Sequence, residues 1–109
     1  MAATDAVIEE RARLAVRALA RTAKVRMAFL FGSHIEGTAD RYSDIDLGVF
    51  VEGLKDWDLR KMARTSAEVQ KEVGDDVELH YFPAGQLKNP ETASFAAFVI
   101  THGRPIIVD

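Results

Sequence analysis

The chain has 109 residues, no cysteine and a formal net charge of −3 at pH 7. This length predicts a single domain over residues 1–109, and a hydrophobic content of 48% predicts a folded core rather than a disordered chain. The missing cysteines exclude disulfides and thiolate chemistry, and the slightly acidic charge balance gives no strong signal for nucleic-acid binding.

The N-terminal region predicts a helix. Thr4 or Asp5 could cap it, and apolar residues follow at helical spacing: Val7, Ile8, Leu14, Ala15, Ala18 and Leu19. Arginines lie mostly off this stripe, at Arg11, Arg13, Arg17 and Arg21. We interpret them as a solvated face, with an acidic partner or nucleic acid as the alternative. No signal-peptide core or membrane-spanning run is found, so we expect a soluble, cytoplasmic protein with no membrane partner.

Two apolar runs joined by a short polar connection come next. Val25–Phe31 and Ile45–Val51 are predicted strands, and the connection between them is too short for a parallel crossover, so we expect an antiparallel pair. Alternation places Ile45, Leu47, Val49 and Val51 on one face of the second strand and Asp44, Asp46, Gly48 and Phe50 on the other. Gly48 indicates either close packing on that second face or a bulge.

The ends of these strands carry residues suited to a nucleotide. Asp44 and Asp46 repel each other unless a cation lies between them, and Mg²⁺ prefers such oxygen ligands. Gly32-Ser33 ends the first strand, where turn N–H groups and a hydroxyl can hold a phosphate. Antiparallel pairing would bring the two features together.

A second helix is predicted from Asp56 or Asp58 to about Val73, closed by Gly74. Its predicted buried side consists of Trp57, Met62, Ala63, Ala67, Val69 and Val73. We interpret Trp57 as a core anchor, with stacking on a base as the alternative.

The third predicted strand covers residues 76–82. A strand–helix–strand unit of this length favours parallel pairing with the second strand. That pairing would place Glu78 beside Asp44 and Asp46 as the third carboxylate, with Asp76 as the fallback. His34 and His80 also lie near this region, but no partner histidines or cysteines stand at the spacing of a zinc site, so none is predicted.

The C-terminal region predicts a helix that starts at Asn89-Pro90 and ends at Gly103, followed by an edge strand over residues 105–108. We interpret Phe95 and Phe98 in this helix as core residues, with a hydrophobic partner surface as the alternative.

The central motif resembles a known family. The motif consists of Gly32-Ser33, a spacer of ten residues, and Asp44-Ile45-Asp46. This pattern is similar to the G-S-x10-D-x-D signature of the DNA polymerase β-like nucleotidyltransferase superfamily. Gly37, Ala39 and the run from Ser43 to Leu47 resemble its minimal nucleotidyltransferases (MNT). The resemblance is dense over residues 29–51 and looser elsewhere. It implies an α/β (α+β) fold, a small mixed sheet with helices packed on it.

The resemblance also implies a reaction, the transfer of AMP from ATP to a hydroxyl group. Asp44, Asp46 and Glu78 would be the catalytic and metal-binding residues for two Mg²⁺ ions, and Gly32, Ser33 and Arg41 would bind the nucleotide. Arg41 could equally be a solvent-exposed loop residue. Many minimal members are antitoxins of type VII-like pairs that adenylylate a tyrosine of a helical HEPN-type ribonuclease. We therefore expect ATP, such a protein partner and a hetero-oligomer.

The third carboxylate departs from the family pattern, because the superfamily usually has an aspartate where this chain has Glu78. The longer side chain leaves a second hypothesis open, a non-catalytic subunit that neutralises or positions its partner by binding alone. Transfer to an aminoglycoside-like acceptor is less favoured, since enzymes of that kind generally carry an additional helical domain.

Overall fold

The computed structural model describes residues 2–32 and 44–108. Helix α1 (Ala2–Ala20) precedes strands β1 (Val25–Phe31) and β2 (Ile45–Val51), and helix α2 (Leu59–Val73), strand β3 (Val77–Pro83), helix α3 (Phe95–His102) and strand β4 (Arg104–Pro105) follow. Short 3-10 helices cover Leu54–Asp56 and Ala84–Leu87. The strands form one mixed sheet in the order β3-β2-β1-β4. The predicted α/β architecture is confirmed.

The strand pairings bring one end of three strands together. β1 is antiparallel to β2, with Phe31 opposite Asp46. β2 is parallel to β3, with Asp46 opposite Glu78 and Gly48 opposite His80. Both predicted orientations are confirmed. The end of β1 therefore lies beside the starts of β2 and β3.

The core has two parts, one on each face of the sheet. Helices α1 and α2 cover the face formed by the residues Ile45, Leu47, Val49, Val51 and Val77. Helix α3 covers the opposite face, where Phe29, Phe31 and Phe50 pack against Ala96 and Val99. The predicted alternation of β2 is therefore confirmed, since its two sets of side chains enter different clusters.

Gly48 is explained by close packing rather than by a bulge. A Cβ atom at this position would lie 2.6 Å from Val99 Cγ1 and 3.3 Å from Phe82 Cε2. The pairing of β2 with both neighbours is regular at Gly48. The missing side chain therefore allows α3 to lie directly on the sheet.

Helix α1 differs from the prediction at its start and along its buried side. It begins at Ala2, so Thr4 and Asp5 lie inside the helix instead of capping it; alanine has the highest helix propensity, which favours the extension through Ala2 and Ala3. Val7 and Leu14 are exposed, and the buried stripe consists of Ala12, Ala15, Val16, Ala18 and Leu19.

The arginines in α1 and directly after it are largely paired within the chain. Arg11 binds Asp76, Arg13 lies near Glu9 and Glu10, and Arg21 binds Glu72. The basic face is therefore mostly an intramolecular ion-paired surface.

Helix α2 is capped by Asp58, whose carboxylate accepts a hydrogen bond from Lys61 N at 2.8 Å. Asp56 instead ends the preceding 3-10 helix. Val69 is buried as predicted, whereas Ala63 and Ala67 are exposed. The prediction that these two alanines are buried is therefore wrong. Successive residues of a helix are rotated by about 100°, so Ala63 and Ala67 turn away from the sheet that their neighbours Met62 and Ser66 face.

Trp57 packs against the core, with its ring 5.5 Å from that of Tyr81. This position agrees with its interpretation as a core anchor. The C-terminus of α2 is also as predicted, at Gly74, whose φ of 120° favours glycine.

The C-terminal region differs most from the prediction. Helix α3 starts at Phe95 with Ser94 as its cap, so the predicted start at Asn89-Pro90 is wrong. Serine is as good a cap as asparagine, and starting there places Ala96 and Val99 on the sheet. The end at Gly103 is confirmed.

Two further C-terminal predictions need correction. β4 is shorter than predicted and pairs with β1 at Phe29 and Leu30. Phe95 and Phe98 are 50% and 40% exposed, so neither is a fully buried core residue.

In the described part of the chain, no helix has the length and apolar character needed to cross a membrane.

Candidate active site

Three carboxylates meet where β2 and β3 begin. Asp46 lies on β2 directly opposite Glu78 on β3, and Asp44 immediately precedes β2. The Asp46 side chain is 23% exposed, whereas Asp44 and Glu78 are exposed residues. The Asp44 carboxyl group is near enough to Glu78 to contribute to the raised pKa of Glu78. The structure thus brings together the three acidic residues that the sequence selects as catalytic and metal-binding candidates.

The mutual repulsion of these carboxylates affects the pKa of Glu78. Although Glu78 is an exposed residue, the surrounding protein partly desolvates its carboxyl group, and this is the largest cause that raises its pKa above 4.5; the interactions with Asp44 and with the charge of Asp46 raise it further, while His80 opposes the increase. The charged form of Glu78 is therefore disfavoured among its neighbours. A cation bound here would relieve that repulsion.

Gly32 brings the end of β1 against the same cluster. Its φ is +86°, and a Cβ atom would lie 2.6 Å from Asp46 Oδ2. Glycine is thus required both by the backbone conformation and by the approach of the carboxylate. Ser33 and Arg41, the other candidate nucleotide-binding residues, lie outside the described residues. Phosphate binding by these three residues stays a prediction.

His80 is a neighbour to which the sequence assigns no function. Its Nε2 lies 3.2 Å from Asp46 Oδ1. One ligand atom from each of Asp46, Glu78 and His80 lies within 4.8 Å of the others. The signal that could have identified His80 is its spacing, because residues two apart on β3 point to the same face as Glu78.

Asp76, the fallback carboxylate, has a different environment. Arg11 binds it through both terminal guanidinium nitrogens, Nη1 and Nη2, and Nη2 also donates to Val73 O at 2.6 Å. The Asp76 carbonyl accepts a hydrogen bond from Ile45 N at 2.8 Å. Asp76 therefore links α1 to the turn before β3, and Glu78 is the residue placed opposite Asp46.

The comparison with known proteins agrees with this geometry. Residues 15–108 match the family described as "Polymerase beta, Nucleotidyltransferase". The chain belongs to this family. A candidate nucleotidyltransferase from Sulfolobus solfataricus, solved at 1.40 Å, has the same fold as this family member, with a TM-score of 0.61 and 18% identity. The match covers 80% of this chain and 77% of the Sulfolobus chain. No curated protein matches.

Membership of the polymerase β nucleotidyltransferase family supports a transferase that moves a nucleotidyl group. Nucleotidyltransferases generally use divalent metal ions. The donor set at the cluster suits such an ion, since carboxylate oxygens are the preferred ligands of hard divalent cations and an imidazole nitrogen is a further donor.

Proposed function

We propose that this chain is a Mg²⁺-dependent nucleotidyltransferase that transfers AMP from ATP to a hydroxyl group. The observation that carries the proposal is the placement of Asp44, Asp46 and Glu78 at one edge of the parallel β2–β3 pair, beside the end of β1. The acceptor in this proposal is a tyrosine of a HEPN-type toxin, which makes the chain the antitoxin of a type VII-like pair.

Each residue of the cluster would have a separate role in an in-line displacement at the α-phosphorus of ATP. The acceptor oxygen attacks the α-phosphorus, and the bond from that phosphorus to the pyrophosphate oxygen breaks. Asp44, Asp46 and Glu78 would hold two Mg²⁺ ions, whose charge would neutralise the triphosphate and lower the pKa of the acceptor hydroxyl. Gly32 and Ser33 would bind the phosphates of the leaving group.

Glu78 would also accept the acceptor's proton. A carboxylate within reach of the attacking oxygen can act as a general base for that proton.

A protein acceptor is supported by the surface beside the cluster. Phe95 is half exposed and its ring lies 5.6 Å from that of His80, which contacts Asp46. Phe98 is also partly exposed on the same helix. An exposed aromatic surface next to the carboxylates is more typical of a protein-docking surface than of a closed small-molecule pocket.

The proposal is tested with ATP labelled on the α-phosphate, Mg²⁺ and the product of the gene that neighbours this one. The wild type is compared with Asp46→Asn and with Asp56→Asn, a matched change at an exposed aspartate that ends a 3-10 helix outside the cluster. Label should appear on the neighbour with the wild type and Asp56→Asn only, and peptide mapping should find it on tyrosine. Equal labelling by Asp46→Asn, or none by the wild type, contradicts the proposal.

The second candidate is a subunit that binds its partner without catalysis. The observation that favours it is Glu78 itself, which is one methylene longer than the aspartate usual at this position and whose raised pKa favours the protonated carboxyl group, a poor metal ligand. This hypothesis predicts a stable complex with no label, and equal shifts in the melting temperatures of wild type and Asp46→Asn when Mg²⁺ and ATP are added. The enzyme hypothesis predicts that only the wild type is stabilised.

A further inference from the structure

His80 contributes a donor atom to the same cluster as Asp46 and Glu78. Parallel pairing places it opposite Gly48, one step along the same face from the pair formed by Asp46 and Glu78. Because Gly48 has no side chain, the imidazole has no β2 side chain directly opposite it. Its side chain is 28% exposed, so it is accessible to a small ion but partly screened from solvent.

Two aromatic rings fix the orientation of the imidazole. Phe31 at the end of β1 lies 5.2 Å from it at an interplanar angle of 63°, and Phe95 at the start of α3 lies 5.6 Å from it at 83°. Both contacts are edge-on, an arrangement that aromatic rings favour. The ring is thus packed from two elements, with Nε2 directed at Asp46 Oδ1.

The distances suit ligands of a shared ion. When two donor atoms each lie about 2.1 Å from one metal ion and the angle between their bonds to the ion is about 90°, the donor atoms are about 3.0 Å apart. This holds for oxygen and for nitrogen donors. The separation of His80 Nε2 and Asp46 Oδ1 is 3.2 Å. A ligand atom of Glu78 also lies within 4.8 Å of the other two donor atoms.

We propose that His80 is a direct ligand of the divalent ion bound by Asp46 and Glu78, and that it increases the preference of this site for Co²⁺ over Mg²⁺. The inference rests on the proposed function, since it concerns the metal of the same site. Its physical basis is the donor set, because imidazole nitrogen favours transition metals whereas an all-oxygen set suits Mg²⁺.

Transition metals bind most protein sites more tightly than Mg²⁺ does, so the informative quantity is a ratio. The ratio of Co²⁺ to Mg²⁺ affinity should fall by about 10-fold in His80→Gln, because only Co²⁺ gains substantially from the nitrogen. His102→Gln is the matched control. His102 lies at the end of α3, stacked on Phe98 with its Nδ1 3.1 Å from Phe98 O, and this change should leave the ratio as in the wild type.

The decisive measurement is pulsed electron paramagnetic resonance of Mn²⁺ added alone, without nucleotide, to protein with ¹⁴N- or ¹⁵N-labelled histidine. A directly bound imidazole should give a nitrogen coupling that changes with the isotope in the wild type. The coupling should persist in His102→Gln and disappear in His80→Gln. The chain has three histidines, His34, His80 and His102, so an isotope effect that persists in both His34→Gln and His102→Gln assigns the coupling to His80 even if His80→Gln folds poorly.

The outcomes separate this inference from the proposed function. Mn²⁺ that binds without histidine nitrogen coupling, or with coupling retained in His80→Gln, overturns the role of His80 but leaves a carboxylate metal site. Failure of the wild type to bind Mn²⁺ or Co²⁺ overturns both. An unchanged Co²⁺ to Mg²⁺ ratio in folded His80→Gln also overturns the inference.

Discussion

Gly32 determines how closely the end of β1 approaches Asp46. With a φ of +86° and a virtual Cβ only 2.6 Å from Asp46 Oδ2, Gly32→Ala should have two effects. The backbone conformation should cost about 1–2 kcal/mol of unfolding free energy. The methyl group should also push the Asp46 carboxylate out of the cluster and weaken binding of Mn²⁺. Urea unfolding measures the first effect, and calorimetric titration with Mn²⁺ measures the second.

Gly53 provides the control for this prediction. Its φ is +73°, but nothing lies within 4 Å of a Cβ at that position. Gly53→Ala should therefore lose a similar unfolding free energy, about 1 kcal/mol, and keep its affinity for Mn²⁺. Equal Mn²⁺ affinities for the two alanine variants would show that the approach of Gly32 to Asp46 does not shape the site.

Glu78 should make the stability of the metal-free protein depend on pH. Its pKa in the folded state is raised above 4.5, through partial desolvation first and then through Asp44 and Asp46. Between the unfolded and folded pKa values the folded protein binds more protons, so the unfolding free energy falls as pH rises through that window. The stabilising contribution of Glu78 is complete below about pH 4.5 and is lost above the raised value.

The measurement is urea unfolding of wild type and Glu78→Gln, with a chelator present, over a series of pH values. The wild type should lose stability relative to Glu78→Gln as pH rises through the window. Glu68→Gln, a change at an exposed glutamate of α2, should follow the wild type. A constant difference between wild type and Glu78→Gln at every pH would refute the predicted environment of Glu78.

Helix α3 depends on Gly48 for its contact with the sheet. Gly48→Ala would place a methyl group 2.6 Å from Val99 Cγ1, so we expect a loss of about 1–3 kcal/mol in unfolding free energy from overpacking. Val99→Ala alone should cost about 2 kcal/mol because it leaves a cavity. In the double variant the new methyl group enters the space that Val99 vacates.

A double-mutant cycle by urea unfolding tests this contact. The double variant should be more stable than the sum of the single changes predicts, by about 1 kcal/mol or more. Strict additivity would mean that α3 moves away from the sheet in Gly48→Ala, and that Val99 is not what limits its approach.

The secondary elements illustrate what sequence patterns can predict. The limits of β1 and β2 follow from apolar runs bounded by turn residues, and the structure has the same limits. The start of α3 does not follow, because Asn89 and Ser94 are both good caps. Packing of Ala96 and Val99 on the sheet selects Ser94, and that contact involves residues distant in the sequence.

At the scale of the whole molecule, one part of the candidate site is predictable from the sequence and another part is not. Connection lengths predict the orientation of β1, β2 and β3, and these orientations place Asp46 beside Glu78. The environment of His80 is not predictable in this way. It depends on Phe31 and Phe95, which approach from two separate elements after the sheet and α3 have packed.

Arg11 connects α1 to the edge of the sheet that carries the carboxylates. It binds Asp76 and Val73 O, and Asp76 in turn accepts a hydrogen bond from Ile45 N at the start of β2. The guanidinium thus joins the end of α2 and the turn before β3 to α1. Arg11→Met keeps much of the aliphatic side chain but removes these hydrogen bonds. We expect a loss of about 1–2 kcal/mol in unfolding free energy, allowing for partial solvent exposure.

Arg21→Met tests whether that loss is specific, since Arg21 also joins α1 to α2 through an ion pair with Glu72, but on the exposed surface. It should change the unfolding free energy by no more than about 0.5 kcal/mol. Arg11→Met should in addition weaken Mn²⁺ binding, because the turn that it anchors ends one residue before Val77 and two before Glu78. If Arg11→Met lowers stability but leaves Mn²⁺ affinity unchanged, the β2–β3 pairing alone holds Glu78 in position, and α1 contributes to the fold without shaping the site.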